Sequence, residues 1–184
     1  MLPTEDLIHE HKAIKVMLSI MSKIAENIEA GKDLDISDIE KIVDFLKTFA
    51  DKCHHGKEET VLFPALVLAG VPNENGPIAV MLHEHTVGRG YIKEMSDGVE
   101  KYKTGHASAK PVLAGSLMNY VTLLQNHIQK EENVLFPMAN RVLTGEKQDE
   151  LFEQFERIEE DVVGHGVHEQ YHELLDQLKR KYLS

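Results

Sequence analysis

The stretch HIQKEENVLFP (residues 127–137) closely repeats an earlier stretch, HHGKEETVLFP (residues 54–64), with eight of eleven residues identical. A second pair of similar stretches precedes these two, LIHEHKAI (residues 7–14) and MLHEHTVG (residues 81–88). The first pair is offset by 73 positions and the second pair by 74. The chain therefore contains one unit twice, and each unit carries two separate histidine motifs.

Short segments containing glycine and proline separate longer segments with helical spacing of apolar residues. The separators are residues 30–37, 69–77, 103–111 and 143–147. The segments between them are roughly 25–33 residues long and show no strand-like alternation of useful length. Four helices joined by short loops predict an all-α fold, an antiparallel up-down-up-down four-helix bundle in which the repeated unit is a helical hairpin.

The predicted bundle occupies residues 1–145 and consists of two similar hairpins, residues 5–70 and 77–143. Residues 146–184 are predicted to form a C-terminal extension of one or two helices, broken near residues 164–166 and packed on the same domain. A chain of 184 residues is long enough to form one domain with its own hydrophobic core.

The formal charge of −11 and the single cysteine limit the classes of function. An acidic chain lacks the positive charge that binding to nucleic acid phosphates or to anionic lipids requires. The sequence has no apolar run of the ~20 residues that span a membrane, and its start does not resemble a secretory signal. Cys53 has no second cysteine to pair with, which fits a reducing compartment. We therefore expect a cytoplasmic protein that binds neither nucleic acid nor membranes.

Eleven histidines are an unusual number for this length, and helical spacing places several of them on inner helix faces. On the fourth helix His127 and Glu131 lie one turn apart on the inner face, and the repeat aligns an equivalent pair on the second helix. On the first and third helices the second histidine of each HEH motif lies inside, whereas His9 and His83 lie outside. The predicted inner set is His11, His54, Glu58, His85, His127 and Glu131.

A bundle interior accepts these ionisable groups only if they are paired or bound to a cation, because each unpaired charge costs several kcal/mol. Four imidazoles and two carboxylates cannot satisfy one another well, since most of their ring nitrogens and oxygens are acceptors. The count favours two metal ions bridged by the carboxylates and by an oxo or hydroxo group. Imidazole and carboxylate ligands together suit iron, and manganese or zinc is possible. The simpler alternative is a set of hydrogen-bonded core residues.

The four motifs resemble the hemerythrin-like, or HHE cation-binding, family. The resemblance covers about residues 5–143 and rests on Glu10-His11, on EHTVGR from Glu84 and on the two repeated eleven-residue stretches. It implies a four-helix bundle holding a non-haem di-iron centre that binds or reacts with O2, and in some members with NO or peroxide. It also implies the same six ligands. Oxygen-carrying members have a fifth histidine in the third helix, at a position that Arg89 occupies here, so simple oxygen carriage is not expected.

Further residues could act as additional ligands or hold the ligands in place. Tyr120 lies on the inner face below His127, and the acidic residue of each HEH motif precedes a predicted ligand. The alternatives are a core tyrosine, solvated charges and, for the tail histidines, an ordinary amphipathic face. The additional candidates are His55, Glu10, Glu84, Tyr120, His165 and His168.

The sequence predicts a non-haem di-iron protein that binds or senses O2 or NO, or handles iron, in the cytoplasm. The alternative is a di-iron enzyme that acts on peroxide, O2 or NO, either as a peroxidase or oxidase or in protection from nitrosative stress. A third hypothesis is a module in which the metal serves folding alone. The expected partners are the small molecules O2, NO or peroxide, no residue is assigned as catalytic, and the oligomeric state is left open.

Overall fold

The computed structural model describes residues 1–162, 164 and 166–184, without the side chains of residues 162 and 168. These residues form helices and connecting loops, and no β-strand occurs among them. The helices are α1 (Pro3–Glu29), α2 (residues 36–68), α3 (Pro77–Lys103), α4 (residues 109–142), α5 (Gly145–Val162) and α6 (Val167–Tyr182). The prediction of an all-α bundle with additional C-terminal helices is confirmed. None of the described helices is long and apolar enough to cross a membrane.

Helices α1 to α4 form the bundle, and their inner faces build two hydrophobic clusters. The larger cluster fills one end and includes Ile14, Leu46 and Leu117. The smaller cluster fills the other end and includes Leu7, Leu62 and further apolar residues of α3 and α4. On each bundle helix the predicted ligands lie between the residues of the two clusters. The polar site is therefore enclosed by apolar packing at both ends.

Both C-terminal helices pack on the bundle. From α5, Phe155 is fully buried in the smaller cluster. From α6, Tyr171 contacts the ring of Phe45 edge-on at 5.4 Å and donates a hydrogen bond to Asp44 at 3.0 Å. The break between the two helices falls where the sequence predicted it, and Gly164 adopts a positive φ of 80° that a glycine accepts without strain. The domain boundary at residue 145 stays a prediction.

The helices that carry the repeated stretch are not α-helical throughout. Helix α2 is π-helical over Leu46–His55 and Glu58–Leu62, and helix α4 is π-helical over Glu131–Leu135. In both copies a π-helical segment begins at the predicted glutamate ligand and ends just before Phe-Pro. Proline cannot donate the hydrogen bond of a regular helix, and π-helical segments recur at functional sites because they change where side chains point.

Two glycines of α3 offer a test of the packing between α3 and α4. A Cβ atom at Gly98 would lie 2.8 Å from Leu113 Cδ2, a fully buried side chain, whereas one at Gly90 would meet no atom within 4 Å. We expect Gly90→Ala to stabilise the protein by about 0.5–1 kcal/mol because alanine is the better helix former. We expect Gly98→Ala to be less stable than Gly90→Ala by about 1–3 kcal/mol, because the added methyl overpacks the interface. Urea unfolding of the two variants measures the difference, and equal free energies of unfolding would contradict the close packing.

Candidate metal centre

The six predicted ligands meet at the centre of the bundle, and each is at most 1% exposed. Their imidazole rings form two pairs, one from each helical hairpin. The Nε2 atoms of His11 and His54 lie 3.1 Å apart, and those of His85 and His127 also lie 3.1 Å apart. Each hairpin therefore supplies two ring nitrogens that point at the same small volume.

The two glutamates connect the histidine pairs. Glu131 directs Oε2 at His11 Nε2, at 3.2 Å, and Oε1 at His127 Nε2, at 3.0 Å. Glu58 directs Oε2 at His85 Nε2, at 3.4 Å, and Oε1 towards the other pair, where His54 Nε2 lies 4.0 Å away. Each carboxylate thus offers one oxygen to each pair of rings. This arrangement suits carboxylates that bridge two cations.

The four carboxylate oxygens fit metal ions better than they fit the protein around them. No residue in the described part of the chain gives any of them a well-formed hydrogen bond, although all are buried. Burial and the negative charge of Glu131 raise the pKa of Glu58. Burial also raises the pKa of Glu131, but the neighbouring side chains of His127 and His11 lower it well below its ordinary value. Two cations would satisfy all four oxygens, and nitrogen with oxygen is the donor set that iron accepts. The assignment of these residues as ligands stays a prediction.

Each of the four rings has a carboxylate behind it, next to the Nδ1 atom on the side away from the centre of the site. Glu10 Oε2 lies 2.7 Å from His54 Nδ1, and Glu84 Oε2 lies 2.9 Å from His127 Nδ1. Although burial raises the pKa of Glu10, the adjacent His54 and Lys57 lower it to about 2, so this carboxylate is ionised. Each of these glutamates accepts from the Nδ1–H of a histidine on the neighbouring helix, which leaves Nε2 as the lone-pair nitrogen facing inwards.

The second glutamate of each KEE sequence performs the same task for the other two rings. Glu59 Oε1 lies 2.7 Å from His85 Nδ1, and Glu132 Oε1 lies 3.0 Å from His11 Nδ1. Sequence reasoning missed both glutamates because it looked for ligands on the inner face alone. The identity of the KEE sequence in the two copies was the signal that could have found them.

Each of these four carboxylates is paired in turn with a cation. The basic residues stand at equivalent positions of the two copies, so the electrostatic arrangement is repeated as the helices are. Arg89 occupies the position of the fifth histidine of oxygen carriers, and its Nη2 atom donates to Glu59 at 2.6 Å. The four pairs are Lys57 with Glu10, Lys130 with Glu84, Arg89 with Glu59 and Lys15 with Glu132.

His55 belongs to the same cluster. Its ring stacks on that of His85, with centroids 3.8 Å apart and an interplanar angle of 17°. One ring nitrogen of His55 lies within 4.8 Å of the ligand atoms of Glu58, His85 and His127. Burial and the neighbouring His85 lower the pKa of His55 well below its usual value, so the ring is neutral. The structure thus brings this candidate together with the predicted ligands.

Tyr120 is the one remaining candidate whose side chain the structure describes. Tyr120 is buried, but its hydroxyl makes no hydrogen bond to any described residue, so a bond to a ligand is not formed. His9 and His83 are exposed, as helical spacing predicted. Burial raises the pKa of Cys53 to about 12, so its thiol stays protonated. Of the two tail histidines, His165 and the side chain of His168 lie outside the described residues.

Lys57 joins the site to the C-terminal helices. It is fully buried, and its ammonium group lies 2.8 Å from Asp6, 2.7 Å from Glu10 and 3.2 Å from Glu159 of α5. Burial lowers the pKa of Lys57, but the surrounding carboxylates raise it further, so the side chain is charged. One ammonium group of the protein therefore contacts all three carboxylates and offsets part of their negative charge.

Comparisons with known proteins give one family and several relatives. A family model described as the hemerythrin HHE cation-binding domain matches residues 2–139. An iron-sulfur cluster repair protein, YtfE, of Pectobacterium atrosepticum is 37% identical over 91 residues, which cover 48% of this chain and 41% of that protein. YtfE of Edwardsiella ictaluri is 30% identical over 125 residues, covering 66% of this chain and 56% of that protein.

An uncharacterized protein of Mycobacterium bovis is 25% identical over 156 residues, which cover 83% of this chain and 59% of that protein. The chain spans about half the length of the curated relatives that it matches. No solved structure matches it significantly.

The two KEE lysines form a matched pair for a stability test. Lys57→Met leaves Glu10 and its neighbours without their buried cation, and we expect the free energy of unfolding to fall by about 3–5 kcal/mol. Lys130→Met removes a cation that is 41% exposed and faces one carboxylate, and we expect a loss of about 1 kcal/mol or less. Urea unfolding of the metal-free variants measures both values. Equal losses would show that burial of Lys57 does not set its contribution.

Proposed function

The chain belongs to the hemerythrin HHE cation-binding domain family, and on that premise we propose that it binds two iron ions and takes up O2 or NO at them. The proposed ligands are His11, His54, Glu58, His85, His127 and Glu131. Reversible binding or sensing of a small molecule in the cytoplasm is the proposed role. Bound iron would supply coordination positions for O2, NO or peroxide and the electrons that these molecules accept.

One observation carries this proposal: two pairs of imidazole Nε2 atoms are spanned by two carboxylates to which no described residue donates a well-formed hydrogen bond. Each pair, together with one oxygen from each glutamate, offers four protein ligand atoms to one metal. Iron commonly takes up to six ligands, so positions remain for small molecules. The carboxylates behind the rings fix which nitrogen faces inwards, and their hydrogen bonds to the rings raise the basicity of that nitrogen as a ligand.

The surroundings of the site favour a small ligand over an organic substrate. All six side chains are at most 1% exposed. The ring of Phe136 stacks on His11 at 5.6 Å, and that of Phe63 stacks on His85 at 6.0 Å. These apolar rings close the site towards the smaller hydrophobic cluster and exclude bulk water. A diatomic molecule needs a far smaller passage than an organic substrate does.

The second candidate function is catalysis in protection from nitrosative stress. The observation that favours it is the name of several relatives, iron-sulfur cluster repair proteins. The same buried ligands would serve this function, but the protein would then also have to contact a damaged iron-sulfur protein. Recovery of a nitric-oxide-damaged [4Fe–4S] protein in the presence of the iron-loaded chain, compared with an equal amount of free ferrous iron, tests this candidate.

Metal analysis tests the proposed ligands directly. We expect Glu131→Ala and Glu58→Ala to hold well below two irons per chain, because each removes an oxygen from both metal positions. His9→Ala and His83→Ala are the controls, since both side chains are exposed, and we expect them to keep two irons. Wild-type iron content in either glutamate variant would contradict the bridging role.

Optical spectra of the anaerobically reduced protein separate the functions. The spectrum is recorded before and after exposure to air, peroxide and NO. A reversible spectral change with O2 or NO supports the binding role, and catalytic loss of peroxide supports the enzyme. Two zinc ions in the isolated protein with no spectral change would contradict both and leave the folding role.

A further inference from the structure

Tyr120 carries a hydroxyl group that no described residue satisfies. The side chain is 1% exposed, and its Oη atom is buried without a hydrogen-bond partner in the described part of the chain. The hydroxyls of Tyr171 and Tyr182 donate to carboxylates, and Tyr91 and Tyr102 are partly exposed. A buried polar atom without a partner costs free energy, so natural structures rarely keep one without a use.

The ring of Tyr120 extends towards the metal centre from the side of the larger hydrophobic cluster. Tyr120 belongs to that cluster and precedes His127 by two turns on the inner face of α4. A Cβ atom at Gly88 would lie 3.6 Å from Tyr120 Cε2, the ring carbon next to the one that carries the hydroxyl. The same Cβ atom would lie 3.9 Å from Leu124 Cδ2. Because Gly88 follows His85 by about one turn of α3, the hydroxyl end of the ring reaches the level directly beside the predicted ligands.

The hydroxyl is available as a neutral donor. Burial raises the pKa of Tyr120, and the negative charge of Asp51 raises it further, so the proton stays on the oxygen. Leu117 and Leu124, about one turn before and after Tyr120 on the same face, offer no acceptor. A hydrogen-bond donor in apolar surroundings acts on an acceptor more strongly than it does in water. A small molecule held at the centre would supply the acceptor that the described residues do not.

We infer that the Tyr120 hydroxyl donates a hydrogen bond to the NO or O2 that the proposed iron centre takes up, and so selects among small molecules. The inference rests on the proposed function. NO and O2 gain electron density when ferrous iron binds them, so a donor directed at them stabilises the bound form. The rings of Phe63 and Phe136, which cover the side towards the smaller cluster, cannot donate. Tyr120 therefore retains a small molecule that accepts a hydrogen bond longer than one that does not, without itself binding the metal.

Tyr120→Phe, which removes the hydroxyl and keeps the ring, tests this inference. The full-length, iron-loaded protein is reduced anaerobically and exposed to NO, and the N–O stretching frequency is recorded for samples prepared in H2O and in D2O. We expect the frequency to shift in D2O in the wild type but not in the variant, and to differ between the two proteins. We also expect the variant to keep two irons and to release NO roughly tenfold faster, the effect of losing about one net hydrogen bond.

Tyr171→Phe is the matched control, since its hydroxyl bonds to Asp44 beside α6. We expect it to lower the free energy of unfolding and to leave the N–O frequency and NO release unchanged. Tyr120→Phe should be at least as stable as the wild type when metal-free, because the hydroxyl has no described partner to lose. If Tyr120→Phe does not fold, Tyr120→Leu carries the same expectations for NO.

Three results would overturn the inference and leave the proposed function intact. They are an unchanged N–O frequency and release rate in a variant with two irons, a D2O shift that persists in that variant, and a wild type that holds two irons but binds only O2. Loss of iron from Tyr120→Phe would also overturn it, because the hydroxyl would then act on the metal site itself. Failure of the wild type to bind iron would overturn both the inference and the proposed function.

Discussion

Two carboxylates side by side in a buried volume dominate the centre of this bundle. Glu58 and Glu131 are fully buried and receive no well-formed hydrogen bond from the described residues. Such a pair is tolerable only where positive charge is concentrated around it. Cations held by the surrounding imidazole rings would supply this charge, and the carboxylates behind the rings are themselves paired with basic side chains. Although burial lowers the pKa of His127, the adjacent Glu131 raises it to about 10.

Each repeated eleven-residue stretch supplies one glutamate of that central pair and also side chains that support the surrounding histidine rings. In each copy the histidine and the first glutamate point inwards, and the second glutamate holds a histidine of another helix. The lysine of each copy neutralises the glutamate of an HEH motif. Two copies are needed because each half of the site receives one supporting carboxylate from its own hairpin and one from the other hairpin.

The two copies differ at several positions around the site. Lys57 is fully buried under α5, whereas Lys130 is half exposed. The C-terminal helices therefore enclose the supporting ion pair of Lys57 and Glu10 more than that of Lys130 and Glu84 is enclosed. His55 faces the site where its counterpart is Ile128. Arg89 replaces a histidine of oxygen carriers but supports the carboxylates behind two rings. The two halves of this nearly two-fold symmetric centre therefore have different surroundings.

The sequence by itself determined the bundle, the break near residue 164 and the inward direction of the six central side chains. It could do so because helical periodicity is local and the duplication provided an internal alignment. Only the tertiary structure showed which ring faces which, that Glu59, Glu132, Lys15 and Arg89 support the rings, and that His55 joins the cluster. Those contacts join residues 26 to 121 positions apart across different helices. The helical spacing of one segment carries no information on what a neighbouring helix places opposite it, and π-helical turns at Leu46–His55 and Glu131–Leu135 further alter where side chains point.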